Sequence, residues 1–327
     1  MRDASLSQVK YTATVIGAGT MGHGIAMLLA LGGHRVCLAD HQAAQLLKAR
    51  DLMASHLEHL GLADAAGRTP SQVLDLVDTS ESWQEAVGRS DLVVEAVIEK
   101  REVKRELFAT LAPHLGPHTL VSSNTSFLNA FELIPPALNQ RFMMTHFFTP
   151  PYIIPLVEVV GAPRTPQPEV MRVKALFESL GMVCVALKKF VPGFIVNRFQ
   201  RAMGREVFHL LGQEVADPRE IDRAVRASIG IRLPVLGAVA RYDYAGLDMV
   251  LSGIQEAPLS EEERQEAPAI LQELVAQGHY GVKTGRGFFD YAGRDTTEVL
   301  RERDLKLLKV KKVVMDILFS ERPQNES

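Results

Sequence analysis

"TVIGAGTMGHGIA", residues 14–26, decides the fold. A β-branched run ends at Gly17, and glycine recurs at 19 and 22 before a helically spaced run begins. In G-x-G-x-x-G each glycine has its own task. Gly17 permits the tight turn, Gly19 lets a pyrophosphate approach the backbone, and Gly22 lets the helix pack close to the strand. The helix start then offers N–H groups and positive dipole to the phosphates. Gly17, Gly19, Thr20, Met21 and Gly22 are therefore candidate cofactor contacts. Asp40 follows Gly17 by 23 residues, at the end of the next strand candidate. That is the place of the acid that binds the adenosine ribose. Its charge repels a 2'-phosphate and no arginine follows it, so NAD is expected rather than NADP.

Outward from this motif, short apolar runs alternate with helical patterns. Strands are expected over 12–17, 35–40, 91–97, 118–123, 141–147, 155–160 and 182–187. Helices are expected near 20–32, 41–60, 101–112 and 168–180. Such alternation predicts an α/β fold, a Rossmann-type doubly wound parallel sheet covered on both faces. After Pro192-Gly193 the helical period dominates, over 194–212, 217–228, 260–277 and 298–319. "PREID", residues 218–222, puts proline in a first turn with acids behind it, a helix-start signal. Two domains are expected: 1–190, binding the dinucleotide, and 191–327, smaller and all-helical. The stripe Leu300, Leu307, Val310, Val314 and Leu318 reads as an amphipathic helix packed on a core.

Composition narrows the class. The chain has 327 residues, 46% hydrophobic and 23% charged, with a net charge of -3. No basic field points to nucleic acid, and no apolar run is long enough for a membrane span. The start of the chain carries no hydrophobic signal-peptide core. Cys37 and Cys184 lie in apolar runs and read as buried thiols in a reducing, cytoplasmic setting. No metal site is expected. His56 and His59 lie three apart on a helix, with no further ligands converging on them.

Cofactor binding does not name a reaction. No tyrosine has lysine four residues on, which excludes the Tyr-x-x-x-Lys dehydrogenases, and the thiolates of a zinc alcohol dehydrogenase are lacking. A methyltransferase shares the glycine loop but has no need of a base. Alcohol oxidation without metal needs a base for the hydroxyl proton. His146 ends the strand candidate 141–147 on the ligand edge of the sheet and can titrate near neutrality. Glu99 and Lys104 fall just past the strand candidate 91–97, also on that edge.

Five stretches, "VIGAGTMGHGIA", "SSNTS" (122–126), "HFF-P-----LVEVV" (146–160), "PGFIVNR" (192–198) and "GVKTGRGFFDY" (281–291), occur in an order that resembles the L-3-hydroxyacyl-CoA dehydrogenase family. The resemblance covers about residues 12–291. It implies an enzyme of fatty acid metabolism, oxidising the 3-hydroxyl of an L-3-hydroxyacyl-CoA with NAD. It implies His146 as the base, Glu158 as the carboxylate orienting it, and Ser123 as the hydroxyl that bonds the reacting oxygen. Asn197 then supports the substrate carbonyl or the base. Glu99, Lys104, Thr149 and Lys283 fall at family cofactor positions. A homodimer formed through the helical domain is also implied.

Two departures bear on the substrate. The family has asparagine where this chain has Thr149, and a hydroxyl cannot match both amide donor and acceptor. The family often places a lysine-rich hairpin after the second strand to hold the phosphates of coenzyme A. Here residues 51–85 hold seven acids and one basic residue, Arg68. The second domain is instead rich in arginine (198, 201, 205, 223, 226, 232 and 241), which suits carboxylates. The alternative substrate is a free hydroxy-carboxylate of the carnitine, gulonate or pyridine-carboxylate kind. More distant alternatives are the 3-hydroxyisobutyrate class and a non-enzymatic, crystallin-like NAD-binding protein. The first uses an interdomain lysine, and "PGFIVNRFQRAMGRE" has none.

Overall fold

The computed structural model describes residues 10–256, 269–296, 298, 299, 302, 306, 309, 310, 312 and 313. Its central strands are apolar runs buried on both faces: β1 (Thr12–Ile16), β4 (Leu92–Glu95), β5 (Leu120–Ser123) and β6 (Phe142–Phe147). They join β2 (Arg35–Ala39), β3 (Val77–Ser80), β7 (Leu156–Gly161) and β8 (Val183–Ala186) in one eight-stranded sheet, in the order β3-β2-β1-β4-β5-β6-β7-β8. Every pairing is parallel except β6 with β7. The doubly wound sheet expected from the sequence is thus present, with one antiparallel pair inside it. After β1 the chain builds outward to β3, then returns to pair β4 on the other side of β1. The carboxyl ends of β1 and β4 flank this switch point, where open α/β sheets bind ligands.

Successive strand residues feed opposite cores. Leu92, Val94 and Met143 join one cluster, with Ile25 and Leu29 of α1 (Gly22–Leu31). Val93, Phe142 and Met144 join the other, with Phe108 of α6 (Arg101–Leu111) and with Phe194. Between these helices run α2 (Ala43–His59), α3 (Leu62–Ala65), α4 (Pro70–Leu74) and α5 (Gln84–Val87); α7 (Gln167–Ser179) follows β7. Residues 22–30 of α1 are all buried, so the helix is apolar around its whole girth rather than along a stripe.

Strand β3 was not expected. "VDTS" buries only Val77, so this edge strand carries no apolar run to announce it.

The chain divides into compact units Met1–Met203 and Gly204–Ser327. The division lies later than the expected boundary near 190. The intervening segment is bonded into the first unit: Gly193 N–H donates to Ser126 O, and Ile195 N–H to Glu158. Helix α8 (Val196–Gly212) runs across the division. It is followed by α9 (Pro218–Ala227), α10 (Ile229–Ala245), α11 (Leu247–Glu256) and α12 (Ala269–Ala276), so the second unit is helical as expected. Asp217 caps α9 by accepting from Glu220 N–H, with Pro218 in the first turn.

Two helices, α10 and α11, fall outside the expected helical spans, and α10 contains Pro234 and a break at Gly237. The break is local: Gly237 takes φ 67° and ψ -174°, and the chain is helical on either side. Residues 260–268 of one expected helix, and most of 298–319 with Leu300, Leu307, Val314 and Leu318, lie outside the described residues. Among the described residues no helix is long and apolar enough to cross a membrane, and no group of three acidic, histidine or cysteine side chains could hold a metal. Cys37 and Cys184 are free and half-buried rather than fully buried. Burial pushes the Cys184 thiol up to about 11, so it is a poor nucleophile at neutral pH.

Candidate active site

His146 and Glu158 are direct partners in the antiparallel ladder of β6 and β7. Directly opposed residues share a face of the sheet with Cβ atoms about 5 Å apart. His146 Nδ1 lies 2.9 Å from Glu158 Oε2, and the two residues are 3% and 1% exposed. The other oxygen, Oε1, accepts N–H from Ile195 (2.8 Å) and Val196 (3.3 Å). A carboxylate buried this deeply is tolerated because both oxygens are bonded. Since Glu158 only accepts, His146 Nδ1 carries the proton and Nε2 presents its lone pair.

The imidazole lies flat on Phe194, with ring centroids 4.6 Å apart and planes 16° apart, and meets Phe148 edge-on. Phe194 takes φ +50°, directly after Gly193 at φ +83°. A phenylalanine in that region is strained, and here the strain has a visible return. The turn delivers the ring beneath the imidazole and the next two N–H groups to Glu158. "PGFIVN" is thus a backbone device as well as the source of Asn197.

Around Nε2 stand Ser126 Oγ at 3.2 Å and Asn197 Nδ2 at 3.4 Å, both able to donate to it. Ser123, the serine expected here, is not among them. It is the last residue of β5, fully buried, and its hydroxyl donates to Glu95 instead. A side chain inside the sheet cannot reach over the edge, so Ser126, past the strand end, stands opposite His146 Nε2. Asn124 Oδ1 accepts Phe147 N–H (2.9 Å) and ties this loop to β6.

At the switch point the glycine loop is drawn in tightly. Gly17 N–H donates to Ala39 O at 2.7 Å, and Ala18 N–H to Asp40 Oδ2 at 2.9 Å. A Cβ on Gly22 would stand 1.7 Å from Gly17 O, whereas one on Gly19 would meet nothing within 4 Å. Open space at Gly19, the N-terminus of α1 and the Asp40 carboxylate beside the loop fit a dinucleotide. Thr149 Oγ donates to Met21 Sδ at 2.9 Å, so the departure from the family lies against the glycine loop. Gly19, Thr20, His23, Lys48, Thr149 and Tyr152 line part of a cavity of about 250 Å³ there. His56 is part-buried between His23 and Tyr152, with ring centroids at 6.0 and 4.8 Å.

Glu99 gathers the loop after β5. Its Oε1 accepts from Thr125 Oγ (2.6 Å) and from N–H of Ser126 (3.0 Å), Phe127 (2.9 Å) and Leu128 (3.2 Å). Burial raises this carboxyl, but the bonds from Phe127 and Thr125 and the Lys104 charge outweigh it, leaving Glu99 below the ordinary value. Lys104 is only 1% exposed. Its ammonium is held by Glu95 at 2.5 Å, with Val97 O at 3.4 Å and Glu99 at 3.7 Å. The structure therefore turns Lys104 inward, behind Glu99. Lys283 belongs to the second unit, where it pairs with Asp248 at 2.6 Å. There the sequence reading missed Asp243, which is 1% exposed and accepts N–H from Phe288 and Phe289, each at 2.9 Å.

The NAD-binding domain of 3-hydroxyacyl-CoA dehydrogenase matches residues 12–190 as a family, and that enzyme's C-terminal domain matches 193–291. The chain is 34% identical over 306 residues to 5-formyl-3-hydroxy-2-methylpyridine 4-carboxylate 5-dehydrogenase of Mesorhizobium japonicum, covering 92% of this chain and 97% of that one. It is 34% identical over 288 residues to human mitochondrial hydroxyacyl-coenzyme A dehydrogenase, covering 85% and 90%. The crystal structure of a 3-hydroxyacyl-CoA dehydrogenase from Archaeoglobus fulgidus superposes with a TM-score of 0.76 at 27% identity, covering 93% of this chain and 99% of that one.

Proposed function

We propose that this chain, which belongs to the NAD-dependent 3-hydroxyacyl-CoA dehydrogenase family, oxidises a substrate hydroxyl with His146 as the general base. The carrying observation is the setting of His146, with Nδ1 against Glu158 and Nε2 facing Ser126 and Asn197. Nε2 takes the hydroxyl proton. Glu158 stabilises the imidazolium so formed, and Phe194 holds the ring in plane. Ser126 donates to the reacting oxygen, and Asn197 supports it. NAD, when bound, supplies the hydride acceptor. The glycine loop, Asp40 and Glu99 hold that cofactor, with Thr149 and Lys283 assigned to it from the family positions. Lys104 supports Glu99 from behind.

The first substrate reading is the family's own, an L-3-hydroxyacyl-CoA oxidised to the 3-ketoacyl-CoA. A second reading keeps the dyad and takes a free hydroxy-carboxylate. It is favoured by one observation: the seven acids between residues 51 and 85 are all exposed. A face of that sign repels the phosphates of coenzyme A. The Mesorhizobium relative, whose name specifies a pyridine carboxylate, supports it as well.

NAD reduction is measured with 3-hydroxybutyryl-CoA, longer acyl-CoAs, carnitine, gulonate and hydroxymethyl or formyl pyridine carboxylates. Turnover of the thioesters alone upholds the first reading, and turnover of free acids alone the second. No turnover at all with tight NAD binding refutes the enzyme. The same panel run with NADP is expected to give at least about tenfold lower efficiency, since Asp40 meets the 2'-phosphate. Equal efficiency contradicts that role.

The homodimer is also part of this proposal. No residue of α8 is buried, and Phe199, Met203 and Phe208 are 56%, 50% and 75% exposed along it. Phe199 and Met203, one turn apart, lie on one side of this helix, with Phe208 opposite Phe199, and exposed large apolar side chains that share a side mark an interaction face. Sedimentation at the dimer mass is expected, and a monomer at micromolar concentration refutes it.

A further inference from the structure

Glu95 is 0% exposed at the end of β4, and the proposed chemistry does not use it. Its Oε1 accepts from Lys104 Nζ (2.5 Å) and Val97 N–H (2.8 Å), and its Oε2 from the Ser123 hydroxyl. Replacing a buried ion pair by well-packed apolar residues often costs nothing in stability. Stability alone is therefore a poor account of Glu95, and its connections are a better one.

Two routes lead from it to the same loop. Ser123 Oγ, fixed by Glu95, accepts Thr125 N–H at 3.3 Å. Lys104, fixed by Glu95, stands 3.7 Å from the Glu99 carboxylate that gathers the N–H groups of residues 126–128. Between the ends of these routes stands Ser126, facing His146.

We propose that Glu95 is a positioning residue for the reaction: through Ser123 and Lys104 it sets the loop after β5 so that the Ser126 hydroxyl meets the reacting oxygen. This rests on the role given to Ser126 above. Glu95 touches neither substrate nor cofactor. Its effect is carried by where it leaves the Ser126 hydroxyl, and a displacement of about 1 Å there is worth about 100-fold in rate.

The test is a double-mutant cycle in the full-length protein, read as kcat with the best substrate of the panel. Glu95→Gln is expected to lower kcat by about 10- to 100-fold. In a Ser126→Ala background the same change is expected to cost less than about threefold, because residues acting as one unit are not additive. A second readout needs no substrate: the nitrogen-15 NMR shift of His146 Nε2 moves in each single variant and no further in the double. Ser123→Ala, which leaves every charge in place, is expected to show the same coupling with a smaller loss. It carries the test if Glu95→Gln fails to fold.

Equal losses in both backgrounds overturn the proposal, and so does wild-type kcat in Glu95→Gln. Wild-type kcat in Ser126→Ala overturns it too, but by removing the role of Ser126 while leaving that of His146 intact.

Discussion

Replacing His146 with glutamine is expected to lower turnover at saturating NAD by about two to four orders of magnitude. Glutamine is close in reach, and its amide N–H can still donate to Glu158, so the fold and NAD affinity are expected to stay near wild type. What it lacks is a basic lone pair. The hydroxyl proton then has no acceptor in a site where the imidazole is 3% exposed and water has little access. Glu158, already holding two backbone N–H groups, also loses the imidazolium it would stabilise. The measurement is single-turnover reduction of NAD beside an NAD titration. Near-wild-type turnover would remove His146 from the mechanism. A loss of NAD binding of equal size would show a structural defect instead.

Gly22→Ala is the second large effect, and it runs against helix propensity. Inside a helix that exchange ordinarily stabilises by about 1 kcal/mol. Here the new Cβ stands 1.7 Å from Gly17 O, a backbone atom that no rotamer change can move aside. Either the turn opens or α1 lifts from the sheet. Overpacking of this kind costs about 3 kcal/mol, a melting shift of roughly 6–12 °C for a unit of this size. The same movement spoils the N–H cradle, so NAD affinity is expected to fall at least about 100-fold. Unchanged affinity and melting temperature would show that the turn is not under the constraint described.

The features legible in the sequence are those written in local spacing. The glycine triplet, Asp40 and the apolar runs fall on β1, the crevice and the buried strands because each obeys a short-range rule. The pairing of His146 with Glu158 was legible too, through a motif rather than a period. Ser126 was missed for a geometric reason: "SSNTS" does not say where β5 ends, and that ending decides which serine clears the sheet edge. The burial of Lys104 was not legible, because a strand end followed by a helix looks the same whether the lysine turns out or in. Only its partner Glu95, an acid inside an apolar strand, hinted at burial. That hint, a charge in "DLVVEAV", was on the page. Asp243 left no such signal, since its partners lie 45 and 46 residues further on.

The ladder of β6 and β7 has a consequence for how this scaffold can diverge. His146 and Glu158 are opposed by register, so their distance is set by strand pairing and not by the residues that connect the strands. The segment 148–155 hangs between two clamped ends. Beyond Phe148, whose ring meets the imidazole, it can gain, lose or exchange residues without changing the register that opposes His146 and Glu158. It also brings Thr149, Pro150 and Tyr152 to the cavity beside the glycine loop. The spacing of His146 and Glu158 is thereby written in the pairing of two strands, and part of the cavity lining in the connector between them.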